Sequence, residues 1–169
     1  MNKILIVSFA LLVNNLNSEE NKINLYELYK ELHANPELSY QEIETSNKLA
    51  VILKNIGYEV TQNVGGNGVV ALLKNGEGKT VMLRADMDGL PVEEKTRADF
   101  ASKKKAIDPE GNEVFTMHAC GHDVHMSVLI GAAEFLFNNQ SLWQGNLLLV
   151  LEPAEEVSGG ARNMIKDGL

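Results

Sequence analysis

Residues 117–127, MHACGHDVHMS, place three of the chain's four histidines, an aspartate and its only cysteine within one short stretch. Cys120 and His122 flank Gly121, so thiolate and imidazole can approach one ion through a tight bend. A lone histidine is more often a satisfied core residue than a ligand. His118, His122 and His125 crowded beside a cysteine shift the balance toward metal. Two acidic clusters accompany them. In DMD, Asp86 and Asp88 point to the same side wherever the backbone is extended. Glu155 and Glu156 are adjacent and follow an apolar run ending at Pro153. Acidic turns and paired glutamates are common on solvated surfaces, so neither cluster signifies much alone. Thiolate, imidazole and carboxylate together suit zinc, or manganese or cobalt, better than calcium or magnesium. Two glutamates at one such site can divide the work. One binds the ion, and the other takes a proton from water whose pKa the ion lowers toward about 7.

The elements that must position these groups are legible from periodicity. INLYELYKELH, residues 23–33, repeats apolar residues at helical spacing, and Pro36 disfavours helix at Asn35. Ser39 followed by Glu42 reads as a capping box opening a second helix to about Ile56, with Gly57 as its C-cap. YEVTQNV and GVVALLK around GGNG predict a hairpin. TVMLRA reads as a buried strand. Residues 92–116 are polar and predict an irregular loop with one short strand, its lysine run a solvated face. HMSVLIGAAEFLF is apolar nearly all round and predicts a buried helix. NLLLVLEP predicts a buried strand stopped by Pro153, and GGARNMIKDG a last helix. Helices alternating with buried strands imply an α/β fold with a mixed sheet flanked by helices. Ligands in such folds gather at the carboxyl ends of strands, where all three polar clusters fall.

Composition narrows the partners. A net charge of −8 argues against nucleic acid, and one cysteine cannot form an internal disulfide. The apolar run Ile4–Val13 behind Lys3 is too short to span a membrane, which needs about 20 residues. It reads as the core of a signal peptide over residues 1–18, placing the mature chain outside the cytoplasm, secreted or in the periplasm or a lumen. Without that signal the expectation is cytoplasmic. Residues 19–169 then form the globular part, without repeats or linkers.

Four ordered segments, LHANPELSYQE, LRADMDGLPVEE, MHACGHDVHMSVLIGAA and EPAEEVSGGARNMI, closely resemble the M20 family of metallopeptidases and amidohydrolases. The nearest branch contains the hippurate, N-acyl-amino-acid and auxin-conjugate hydrolases. The resemblance implies a zinc-peptidase-like catalytic domain (phosphorylase/hydrolase-like) holding two divalent metal ions, zinc or manganese and possibly cobalt. It implies cleavage of the amide in an N-acyl amino acid or peptide, by proteins that are often homodimers. Carried over by position, Cys120, His122 and Glu156 match metal ligands and Glu155 the general base. Asp88 matches an acid supporting the metal site, with Asp86 beside it, while His118 and His125 match no firm ligand. His33 belongs to a segment read as mainly structural. Family members are much longer, with a lid and dimerisation domain and two further ligand histidines. The expectation is therefore a truncated catalytic domain, inactive or nearly so, and poorly soluble.

Other readings are a non-catalytic remnant that binds metal or a partner chain, and a cysteine hydrolase with His122 activating Cys120. A nucleotide-binding domain is disfavoured, since GGNG does not match G-x-G-x-x-G and no P-loop lysine motif occurs.

Overall fold

The Asn24 side chain accepts the Glu27 backbone N–H at 3.2 Å and opens helix α1, Leu25–Ala34. In the computed structural model, which describes residues 22–169, this is the first element; the expected signal peptide lies outside the described residues. Helix α2, Ile43–Ile56, follows and ends at Gly57, whose φ of 123° closes the helix with an N–H to the Leu53 carbonyl. Strands β1, Glu59–Val64, and β2, Gly68–Asn75, form the expected hairpin. Strand β3, Thr80–Asp86, precedes a two-stranded ribbon of β4, Lys105–Ile107, and β5, Glu113–Phe115. Helix α3, His122–Asn138, strand β6, Gly145–Glu152, and helix α4, Gly160–Lys166, follow.

The main sheet has the order β1-β2-β6-β3, antiparallel except for the parallel β3–β6 pair. It is the mixed α/β architecture that the sequence predicts. Alternation decides which face is covered: Val69, Ala71 and Leu73 of β2 and Leu147, Leu149 and Leu151 of β6 are buried in the core. Leu49 and Leu53 of α2, Leu28 and Leu32 of α1, and Met126 and Ile130 of α3 pack against them. Three helices thus share the core with the sheet, and the core holds the carboxyl ends of β3 and β6 in place.

Four expectations need correction. TVMLRA is not a buried strand: among the described residues β3 is an edge paired only with β6, leaving Val81 and Met82 more than half exposed and burying only Ala85 and Asp86 at its end. Helix α3 is not covered all round, because Val124, Val128 and Phe135 face outward. Residues 92–116 contain two short strands rather than one. The capping box does not form either. Helix α2 starts at Ile43 without a side-chain cap, and Ser39 and Glu42 bond elsewhere.

Candidate metal centre

Parallel pairing sets Asp86 directly opposite Glu152 at the ends of β3 and β6. The Arg84 guanidinium donates to both carboxylates and offsets two buried negative charges at once. Beyond this pair the two strands lead into adjacent loops, residues 87–89 and 153–156, joined by the Met87 N–H donating to the Glu152 carbonyl at 2.9 Å. Between them Gly121, at φ 82°, takes the left-handed turn that starts α3 and leaves Cys120 on one side and His122 on the other.

His122 is buried, and its Nδ1 lies 2.8 Å from the Asp88 carbonyl oxygen. Donation there fixes the ring and turns Nε2 toward the acidic side chains. Nε2 is 3.7 Å from Glu155 Oε2, 3.8 Å from Glu156 Oε1 and 3.9 Å from Asp86 Oδ2. Ligand atoms of Cys120, His122 and Glu156 all lie within 4.8 Å of one another. Zinc, which sits about 2.0–2.3 Å from such donors, needs this kind of convergence. Glu156 Oε1 is buried without a hydrogen-bond partner. A stranded carboxylate oxygen costs about 1–3 kcal/mol or more, and a cation placed there removes that cost. The donor set and the stranded oxygen therefore fit a metal.

The charges around the site follow from its crowding. Burial would lower the pKa of His122, but Asp88 and Asp86 outweigh it and push the ring up to about 9 while no ion competes for Nε2. Slight burial and the Glu156 and Glu155 carboxylates raise the Cys120 thiol. A nucleophilic cysteine needs the opposite shift, and no hydrogen bond joins Cys120 to His122 among the described residues, so the cysteine-hydrolase reading loses its basis. Burial and repulsion from Asp86 and Glu156 raise the Glu155 carboxyl above the ordinary carboxylate range, against the pull of His122.

Asp88 ties the parts together. Its Oδ2 accepts from the Ser39 hydroxyl at 2.6 Å and from the Glu156 N–H at 3.1 Å, and its Oδ1 lies 3.4 Å from His122 Nδ1. Burial pushes its carboxyl up, but these groups outweigh burial and hold it below the usual range. Glu42, fully buried, accepts from the Ala154 N–H at 2.7 Å and so anchors the residue just before Glu155. Ser39, Glu42 and Arg84 were not foreseen as parts of the site. Their signal in the sequence is the Ser39–Glu42 spacing, which by itself predicts a helix cap.

Of the remaining histidines, His125 is exposed, stacks on His122 and lies 3.4 Å from Asp86 through Nδ1. His118 is not among the converging donors; it is buried with neither ring nitrogen hydrogen-bonded.

The pattern of peptidase family M20/M25/M40 matches residues 82–169, just over half of the chain and all of the converging donors. This chain belongs to that family. Thermostable carboxypeptidase 2 of Saccharolobus solfataricus is 42% identical over 164 residues, covering 94% of this chain and 39% of the relative. Hippurate hydrolase of Campylobacter jejuni is 44% identical over 140 residues, covering 82% of this chain and 34% of the relative. The crystal structure of the Bacillus subtilis YXEP protein, a dinuclear metal-binding M20 peptidase, superposes with a TM-score of 0.75 at 36% identity, covering 85% of this chain and 38% of that one. The M20 chain described here thus spans between a third and two fifths of the length of these relatives. Its mixed sheet flanked by helices is the zinc-peptidase-like fold of that neighbour.

His118 should make the M20 chain acid-sensitive. Burial pushes its pKa down to about 4 against the pull of Asp123, and the nearby Asp88 backbone does not reach hydrogen-bonding geometry. A ring held neutral by the fold contributes stability above its unfolded pKa of about 6.5 and loses it as pH falls through about 4. Thermal unfolding of His118→Leu should therefore fall less steeply than that of the parent between those pH values. Parallel curves would remove this assignment.

Proposed function

We propose that these residues serve a metal-dependent amidohydrolase, cleaving the amide of N-acyl amino acids or related peptides. The observation that carries the proposal is the convergence of Cys120, His122 and Glu156 on one point, with Glu155 also close to His122 Nε2. Relatives named hippurate hydrolase, N-acetyl-L-cysteine deacetylase and IAA-amino acid hydrolase support the substrate class.

Cys120, His122 and Glu156 would hold one divalent ion, with zinc, manganese or cobalt suited to the donor set. A second ion, as in the dinuclear YXEP protein, needs donors beyond these three. Bound divalent ions make water acidic, with a pKa of about 7, and polarise the scissile carbonyl. Glu155 accepts the proton of the attacking water and returns it to the leaving amine; its raised pKa suits both transfers. Asp88 orients the His122 ring through its backbone carbonyl and holds the Glu156 backbone through its carboxylate. Arg84 pairs with both Asp86 and Glu152 beside the site, so these two buried carboxylates share a compensating charge.

The test is a chimera in which residues 22–169 replace the matching segment of the Campylobacter jejuni hippurate hydrolase. It should hydrolyse N-benzoyl or N-acetyl amino acids, lose activity to a chelator and regain it with zinc, manganese or cobalt. Activity that survives full metal removal would sink the proposal.

A further inference from the structure

His33, Glu94 and Asp123 come from three of the sequence segments that carry the family resemblance, yet none of them is among the converging metal donors. The fold brings them together. His33 Nδ1 lies 2.6 Å from Asp123 Oδ2, and Nε2 lies 3.0 Å from Glu94 Oε1. His33 is 7% exposed, and its ring is enclosed by Tyr29 and Phe100, with centroids 5.6 and 5.2 Å away. Each carboxylate is itself held. Glu94 accepts from the Thr96 hydroxyl and the Ser102 N–H, and Asp123 Oδ1 accepts the Val124 N–H at 2.9 Å. The Ser127 hydroxyl donates to the Asp123 carbonyl at 2.7 Å, locking the same turn.

Asp123 directly follows His122 in the first turn of α3. A shift of Asp123 therefore turns His122 and changes where its Nε2 points. We propose that His33 is a positioning residue for the metal centre, bridging the loop after β3 to the start of α3 and so fixing the direction of the His122 ring. The inference rests on the metal reading given above. Carboxylates at both ring nitrogens require each nitrogen to donate, which only the protonated imidazole can do. Burial opposes that charge, but Glu94 and Asp123 outweigh it and raise the pKa of the ring. Glutamine, of similar reach, can donate from one nitrogen only and carries no charge. It leaves two buried carboxylates without a cation between them.

The experiment measures cobalt(II) binding to the 169-residue chain through the absorption of the Cys120 thiolate–cobalt bond. His33→Gln should weaken binding about 10–100-fold, the range for removing a partner that orients a ligand. Tyr58→Phe is the control: the Tyr58 hydroxyl donates to the Ala133 carbonyl at 3.1 Å, in the same helix but remote from the ligands. It should lower the melting temperature and leave cobalt affinity alone. Unchanged affinity in His33→Gln, or equal loss in both variants at matched stability, would overturn the proposal. If His33→Gln does not fold, nitrogen-15 NMR of the metal-free parent decides. A ring carrying two N–H protons at neutral pH supports the bridge, and a single neutral tautomer refutes it. A parent chain that binds no cobalt defeats the metal reading itself, and the NMR result then judges the bridge separately.

Discussion

The purified 169-residue chain should take up one zinc or cobalt ion at most, and His122→Ala should weaken that uptake severely. Three donors converge on one point. The His122 ring is held in place before any ion arrives, because its Nδ1 is committed to the Asp88 carbonyl. Such preorganisation means that removing the imidazole loses a ligand and also leaves Glu156 Oε1 stranded in a buried site. Changing a group that merely orients a ligand costs about 10–100-fold, so losing the ligand itself should weaken binding by about a hundredfold or more. Cys120→Ser and Glu156→Gln should also fall, and Cys120→Ser should abolish the thiolate–cobalt absorption. Uptake should release protons, since a metal binds the thiolate and the free imidazole nitrogen; calorimetry in buffers of different ionisation enthalpy would detect it. Metal analysis showing two tightly held ions per chain, or uptake undiminished in His122→Ala, would contradict the assignment.

How far the sequence could go is clear from particular residues. Helix and strand order followed from periodicity, and strand-end logic brought Asp88, His122 and Glu156 together although they are far apart in the chain. The sheet order explains where this failed. TVMLRA has the composition of a central strand, yet among the described residues it lies at an edge, and no local pattern distinguishes a strand with one partner from a strand with two. Ser39 and Glu42 show a second limit. Their spacing satisfies a capping box, but the Ser39 hydroxyl meets Asp88 and the Glu42 carboxylate meets Ala154, both distant in sequence. A buried carboxylate takes whichever donors the tertiary fold presents, and those cannot be counted along the chain. His118 and His125 illustrate the converse, because clustering in sequence put three histidines at the centre and geometry kept one. His125 is on the exposed side of α3, one turn beyond His122, and His118 points into the protein before the turn at Gly121.

Adjacent glutamates with separable roles give the second large effect. In the chimera proposed above, Glu155→Gln should lower kcat by about 10²–10⁴-fold, the usual contribution of a general base, while metal content stays unchanged. Glu156→Gln should lose metal and turnover together. The structure gives the reason for the difference. Glu156 is the more enclosed of the two, has an unpartnered oxygen and stands within ligand distance of Cys120 and His122. Glu155 is the more open, lies 3.7 Å from His122 Nε2, and has its proton affinity raised by burial and by Asp86 and Glu156. Glutamine keeps the shape and the hydrogen-bonding reach of Glu155 but cannot accept a proton, so substrate binding should survive while the chemical step fails. A KM close to the parent value with a collapsed kcat is therefore the expected signature. Retained turnover in Glu155→Gln would take the base away from this position, and a simultaneous loss of metal would show that Glu155 is itself a ligand.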